Sequence, residues 1–315
     1  MAVRGAVVDL GSSSFQLLVC DIAADGMLVP VAKSRSTLDL GATVGASGSL
    51  SHDRVVAAVA VARRMADQLK ELAPDVVVAL GTAALRDAAN GDQVTSLLSE
   101  ALGVPIRVLD GAAEAILCSV GQRAAVWSGE APSVGIDLGG GSTEMAVTGS
   151  DGVLFADSAP IGATRLRGEL GDLDPIGPAG RQIIADRVSA AVSSWGGLLV
   201  DLDVDCRRIV ASGGTVRALA RVATARTRRP RTAAQGSVNQ VELTIDQLEA
   251  LAGHLSRLAA ADRLAVPGMP RRRVRSIAYG AAALHGLVAT IGGDRVVVSE
   301  WGLREGALLD ALDHT

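Results

Sequence analysis

Apolar residues along this chain recur in two rhythms: short runs bounded by Gly, Ser, Pro or charge, and longer stretches at helical spacing. The short β-rich runs predict strands at 5–10, 15–22, 76–80 and 106–109, then at 133–138, 144–148, 153–156, 208–211 and 296–299. Between 51 and 72, Val55, Val56, Val59, Met65, Leu69 and Leu72 keep a helical period, and the pattern stops at Pro74. Further helical segments are predicted at 85–87, 112–126, 182–195, 216–222, 245–260, 276–291 and 302–312, and 226–236 reads as an exposed loop. The apolar stretch 277–291 is rich in Ala and Gly, contains His285 and falls short of the roughly 20 residues needed to span a bilayer. A buried helix is therefore predicted there, with no membrane association.

One phrase occurs twice. Val8-Asp9-Leu10-Gly11-Ser12-Ser13-Ser14 and Ile136-Asp137-Leu138-Gly139-Gly140-Gly141-Ser142-Thr143 each join two predicted strands, and Asp9 with Asp137, Gly11 with Gly139, Gln16 with Glu144 and Val19 with Val147 match at a constant offset of 128. A duplicated strand, acidic Gly/Ser turn and strand predicts two similar halves facing a phosphate between them. The turn composition of 127–132 sets the boundary, giving domains 1–127 and 128–315 of an α/β protein.

Composition narrows the partners. With two Phe, one Tyr and three Trp in 315 residues, stacking on nucleobases is poorly provided for, and a net charge of −4 argues against a general nucleic-acid or membrane-surface role. Lys33 and Lys70 are the only lysines, and neither sits in a P-loop. Arginine clusters in two stretches, one from Arg207 and Arg208 through Arg217, Arg221, Arg226, Arg228, Arg229 and Arg231, the other at Arg271, Arg272, Arg273 and Arg275. Two readings stand for these stretches: solvated faces, or a track for a long anion. Cys20, Cys118 and Cys206 form no Cys-x-x-Cys pair, which fits reduced thiols in a cytoplasmic protein. The four histidines are scattered, so neither a zinc motif nor a local triad can be read. The start runs into an acidic turn before a signal-peptide core can form, and export is not expected.

Five elements carry candidate chemistry. The two Asp-Leu-Gly turns lead into extended segments, so they fit hairpins that cradle an anion rather than a Rossmann turn. Asp9 and Asp137 at strand ends have the oxygen chemistry to orient Mg²⁺ on phosphate. In Gly81-Thr82-Ala83-Ala84-Leu85-Arg86-Asp87 a strand delivers Arg86, suited either to bidentate phosphate contact or to a structural ion pair. Asp110-Gly111-Ala112-Ala113-Glu114 puts Glu114 in the first turn of a helix, where it also complements the helix dipole. Ala211-Ser212-Gly213-Gly214-Thr215 is a strand entering a Gly-rich turn and a helix, either a second phosphate loop or a tight connection.

With these elements in this order, the chain resembles the exopolyphosphatase and guanosine pentaphosphate phosphohydrolase (Ppx/GppA) family of the sugar kinase, Hsp70 and actin superfamily. The resemblance runs from Asp9-Leu-Gly-Ser to Ser299-Glu-Trp-Gly-Leu-Arg-Glu-Gly306, and Asp137-Leu-Gly-Gly-Gly-Ser-Thr-Glu144 is its most specific segment. It implies two ribonuclease H-like (actin-like ATPase) domains with a cleft between them, in the short two-domain form. It implies Glu114 as catalytic base and Arg86 as phosphate ligand, with Asp137, Glu144 and Asp9 toward Mg²⁺ or Mn²⁺. Phosphates would be held by Gly11, Ser12, Ser13 and Ser14 and by Gly139, Gly140, Gly141, Ser142 and Thr143; Ser212, Gly213, Gly214 and Thr215 join them on the phosphate-loop reading of that turn given above. The activity implied is hydrolysis of terminal phosphate from inorganic polyphosphate. Guanosine pentaphosphate hydrolysis and a non-catalytic phosphate or nucleotide sensor are the alternatives, and a homodimer is implied. The chain departs from the family pattern at Ser13, where Asn is usual, at Ala113, the first of a usual glutamate pair, and at Asp39, often basic.

Overall fold

The computed structural model describes residues 3–23, 26–126, 132–226 and 236–313. Residues 127–131, on which the predicted boundary falls, and most of the predicted loop 226–236, with Arg228, Arg229 and Arg231, lie outside the described residues.

Two sheets form the two halves. In the first, β1 (Val3–Leu10), β2 (Ser14–Ile22) and β3 (Leu28–Thr37) make an antiparallel meander, and β4 (Val76–Gly81) and β5 (Arg107–Val108) add in parallel on the far side of β1, in the order β3-β2-β1-β4-β5. The second repeats this plan. Its meander is β6 (Ser133–Leu138), β7 (Thr143–Gly149) and β8 (Gly152–Ala159); β9 (Arg208–Ser212) joins β6 in parallel, and β11 (Arg295–Val298) joins β9. A short antiparallel strand, β10 (Glu242–Thr244), completes the order β10-β11-β9-β6-β7-β8. Both halves are thus ribonuclease H-like α/β units of the actin-like kind.

The central strands are apolar because both faces are covered: β1 is buried from Gly5 to Leu10 and β7 along its whole length. The first core joins Val8, Leu10, Phe15 and Leu17 to Val61, Met65 and Leu69 of the helix His52–Leu72. The second packs Ile136, Met145 and Ile209 against Trp195, Leu251 and the helix Ile277–Thr290, which is buried along most of its length as predicted. Each fully buried Leu, Ile or Met is worth about 1.5–3 kcal/mol of transfer free energy. Among the described residues no single helix is long and apolar enough to cross a membrane.

Several elements depart from the pattern read in the sequence. The helix predicted over 182–195 is two helices, Gly177–Ala191 and Ser193–Asp201, bent by 47°. Val192 leaves the helical region at φ −118°, and the start lies earlier because Pro178 suits the first turn. Strand β3 and the helix Leu40–Ser47 went unpredicted: β3 is a sheet edge carrying Pro30, Lys33 and Arg35 and shows little apolar alternation. The helix Gly91–Leu102 likewise has no counterpart among the predicted segments.

The last helix, Leu303–Asp313, crosses back to the first sheet, where Ala307 and Leu308 join Val7, Leu18, Leu80 and Leu109. It also packs on the helix Gly111–Ala125, which lies against β6, β7 and β8. Glycines permit that approach. A Cβ on Gly306 would stand 1.8 Å from the Leu117 carbonyl oxygen, and one on Gly121 would stand 2.3 Å from that of Gly302. The helix Gly111–Ala125 therefore touches both halves and is pinned from one side by the helix Leu303–Asp313.

Candidate active site

The two repeated turns face each other. A Cβ on Gly140 would lie 2.2 Å from Ser13 Oγ, and one on Gly141 would lie 2.3 Å from Ser12 Oγ, so only glycine fits where the loops meet. Each loop spends its carbonyls behind itself. The Ser12 and Ser13 carbonyls accept from the N–H groups of Gly41, Leu38 and Asp39; the Gly139 and Gly140 carbonyls accept from Ala163, Thr164 and Arg165, and Gly141 accepts from Arg165 Nε. The N–H groups of Ser12, Ser13, Gly140 and Gly141 make no hydrogen bond among the described residues. Unspent donors on paired glycine- and serine-rich turns make an anion cradle.

The same register governs the side chains at the loop ends. In the first half Asp9 pairs with Gln16 across β1 and β2, and Gln16 with Arg35 across β2 and β3; in the second, Asp137 pairs with Glu144 and Glu144 with Ser158. Residues directly opposite share a sheet face, so each half presents a row of three. Gln16 Nε2 donates to Asp9 Oδ2 at 3.1 Å, and Ser158 Oγ donates to Glu144 Oε1 at 2.8 Å. Behind Asp137, the Ser212 hydroxyl donates to its Oδ1, and Gln122 Nε2 donates to both Ser212 Oγ and the Ile136 carbonyl at 2.8 Å.

Glu114 enters from the helix Gly111–Ala125, whose start is fixed by Asp110 Oδ1 accepting from the Ala113 N–H at 2.7 Å. Glu114 is buried, and Arg86 Nη1 donates to its Oε2 at 3.0 Å while also reaching the Leu109 carbonyl at 3.2 Å. Burial pushes the Glu114 carboxyl well above the usual range, with Glu144 adding to the shift and Arg86 opposing it. Burial beside Asp137 raises Glu144 to about 7, and burial raises Asp9 to about 6. Asp137 is raised as well, by burial against the opposing Ser212 hydrogen bond. Perturbed carboxylates gathered in one cleft, as Asp9, Glu114 and Asp137 are with Glu144 buried behind them, are the pattern expected of a functional site.

The structure brings most of the sequence-predicted residues together. Asp9, Gly11, Ser12, Ser13, Ser14, Glu114, Asp137, Gly139, Gly140, Gly141, Ser142, Gly213 and Gly214 line one cleft. Thr143, Glu144, Ser212 and Thr215 are buried outside that lining, and Arg86 opens instead onto an adjoining depression with Asp110 and Ser158. Gly213, at φ 106° with its Cβ position 2.3 Å from the Leu138 carbonyl oxygen, holds the third loop against the second. The sequence reading missed Arg35 and did not count Arg217, Arg273, Arg304 or Glu305 among the site residues, although all five line the cleft. Arg273 is buried whereas Arg271 and Arg272 are exposed, so that basic stretch is not one solvated face.

Oxygen donors of the kind a hard divalent cation takes are present. Glu144 Oε2, Ser12 Oγ, Ser14 Oγ and Thr143 Oγ1 are buried without a hydrogen-bond partner, and Asp9 and Asp137 end the strands beside them. Among the described residues no three Asp, Glu, His or Cys side chains converge into a ready cage. This donor set fits Mg²⁺, which binds through one or two carboxylates together with waters and substrate phosphate oxygens.

Comparison with known proteins agrees with this arrangement. The sequence profile of the Ppx/GppA phosphatase family matches residues 18–315. Exopolyphosphatase 1 of Mycobacterium leprae is 28% identical over 313 residues, covering 99% of this chain and 90% of that relative. A guanosine-5'-triphosphate,3'-diphosphate pyrophosphatase of Aeromonas salmonicida is also 28% identical, over 98% of this chain and 59% of its own length. The crystal structure of an exopolyphosphatase from Cytophaga hutchinsonii superposes with a TM-score of 0.89 at 23% identity, covering 99% of this chain and 98% of that one, and shares the fold.

Proposed function

As this chain belongs to the Ppx/GppA phosphatase family, we propose that it is an exopolyphosphatase, releasing the terminal phosphate of inorganic polyphosphate by hydrolysis. The observation that carries the reading is Glu114, a buried carboxylate held by Arg86 at the edge of a cleft lined by unspent backbone N–H groups. In this reading Glu114 takes a proton from the attacking water. Its raised affinity for protons makes it a stronger base than an exposed glutamate. Arg86 orients that carboxylate, while the N–H groups of Ser12, Ser13, Gly140 and Gly141 neutralise charge gathering on the phosphoryl oxygens. Asp137 and Glu144, with Asp9 opposite, would hold Mg²⁺ or Mn²⁺, which when bound supplies further neutralisation of phosphate charge.

The similarity to a guanosine pentaphosphate-directed relative supports a second substrate for the same machinery. Against it, no aromatic side chain lines the cleft among the described residues, so a base would find no stacking partner. Phosphate release measured across polyphosphates of graded length and guanosine pentaphosphate, with Mg²⁺ or Mn²⁺, tests the reading. The expected result is a higher kcat/KM on polyphosphate. A higher value on the nucleotide would move the assignment, and no release from either would leave a phosphate sensor. The homodimer is likewise a proposal, checked by light scattering.

A further inference from the structure

Three arginines enter the cleft from separate elements and find no carboxylate there at ion-pair distance among the described residues. Arg35 comes from β3, Arg217 from the helix Gly214–Arg226 and Arg273 from the single turn Arg271–Arg273. Arg35 Nε is buried and has no hydrogen-bond partner. Arg217 spends one Nη on the Glu300 carbonyl at 2.7 Å. The Arg273 guanidinium lies on the third glycine turn, where a Cβ on Gly214 would be 1.8 Å from its Nη2. A half-buried guanidinium whose buried Nε is unspent, beside two other guanidinium groups, is suited to an anion.

The strand register says where this group lies. Asp9, Gln16 and Arg35 stand in one row across three neighbouring strands spaced about 4.8 Å apart, so the Arg35 backbone is two strands from Asp9. Arg86 and Glu114 follow β4 and β5, which lie on the opposite side of β1 from β3, so they form the other end of the site; in keeping with this, the charges acting on Glu114 are Glu144, Arg86 and Asp137, whereas those acting on Asp9 include Arg304 and Arg35. Burial, then the like charges of Arg272 and Arg217, push Arg35 down to about 10; burial, then Arg35, Arg217 and Arg272, push Arg273 to about 9. Both remain cations at neutral pH, and a polyanion would relieve their mutual repulsion.

We infer that Arg35, with Arg217 and Arg273, forms a second anion subsite at the end of the cleft away from Glu114, which takes the linked phosphoryl units beyond the one being cleaved. Which unit is cleaved rests on the hydrolase reading above; the subsite itself does not. Arg35 then selects chains of phosphoryl groups over a single phosphate.

The test is calorimetric titration of tripolyphosphate and of orthophosphate, without divalent metal, into the wild type, Arg35→Gln and Arg35→Met. Losing one charge-assisted contact is expected to weaken tripolyphosphate binding by about tenfold or more and to leave orthophosphate binding unchanged. Melting in the absence of anion separates this from a structural role, because removing a repelled, unpartnered cation is expected to leave Tm unchanged or raised. Unchanged tripolyphosphate affinity, equal loss for both anions, or a lowered Tm with binding retained would each overturn the subsite. In turnover, Arg35→Gln is expected to raise KM for tripolyphosphate with kcat nearly unchanged. Wild-type binding of tripolyphosphate with no phosphate release from any chain length would sink the hydrolase reading and leave the subsite. Release with an unaltered KM in Arg35→Gln would do the reverse.

Discussion

The two copies of the Asp-Leu-Gly turn share a backbone and differ in what stands beside the aspartate. Asp9 has Gln16 across the strand pair and Arg35 beyond it; Asp137 has Glu144 and then Ser158. In the first row an amide satisfies the carboxylate and a cation lies within reach. In the second, two carboxylates are buried side by side, and the cost of charging both appears as a Glu144 that protonates near pH 7. A repeated fold thus yields an anion-attracting row and a cation- or proton-attracting row by exchanging two side chains at matched positions. A phosphate substrate and the counter-charge it requires are then served from opposite walls.

The sharpest break of this comparison is at the group between the rows. Glu114→Gln is expected to lower kcat for phosphate release by on the order of 10²-fold or more while leaving the fold intact by circular dichroism. Retained activity would remove Glu114 as the base. Next comes an exchange between the copies. Glu144→Gln gives the second row the amide of the first, and the Mg²⁺ concentration for half-maximal release is expected to rise about 10- to 100-fold. The reverse change, Gln16→Glu, replaces an amide donor by a second carboxylate and is expected to cost about 1–3 kcal/mol at pH 8, recovered near pH 5. Denaturant unfolding at the two pH values measures it.

Acidity offers a gentler test on the wild type. Asp9 and Glu144 hold protons in the fold up to about pH 6 and 7, whereas in the unfolded chain they release them near their ordinary values of about 3.9 and 4.3. Between those limits the native state binds more protons, so ligand-free stability is expected to fall as pH rises from about 5 to 7.5. A Tm that climbs over that range would contradict the burial of the two carboxylates, and Glu144→Gln should flatten the slope. The smallest expected effect lies where the loops touch. Ser13 Oγ and Thr164 Oγ1 share a hydrogen bond of 2.6 Å between the two halves, and Ser13→Ala is expected to cost about 1 kcal/mol in denaturant unfolding.

Much of the site was legible in the sequence because its residues are tied to local signals. A strand, an acidic turn and glycines announce Asp9 and Asp137, and an N-capping Asp110 announces the helix that carries Glu114. The likeness of the two halves followed from the 128-residue offset, whereas the strand order within each sheet is seen only in the structure. Arg35 was invisible for the opposite reason. It lies on an edge strand with little apolar alternation, and its place in the cleft comes from pairing with Gln16, a long-range register that no local pattern encodes. Arg217 and Arg273 were noticed only as members of charged stretches, since whether an arginine faces solvent or a cleft depends on which turn of a helix packs on which sheet. The missed helix Leu40–Ser47 belongs to the same class. It packs on Ala163–Glu169 across the two halves, and Gly45 and Gly168, which permit that approach, look like ordinary loop glycines in sequence.

The return of Leu303–Asp313 to the first sheet has a consequence for how the molecule is made. Val7, Leu18, Leu80 and Leu109 are covered by Ala307 and Leu308, which are synthesised almost 200 residues after the last of those four. The amino-terminal half therefore leaves the ribosome with its first core complete within itself but with this second apolar face uncovered. It waits for the helix Leu303–Asp313, and cleavage just before residue 303 would open that face again. The halves are joined by order of completion as well as by contact, so the cleft between them is completed only after residues 303–313 are made.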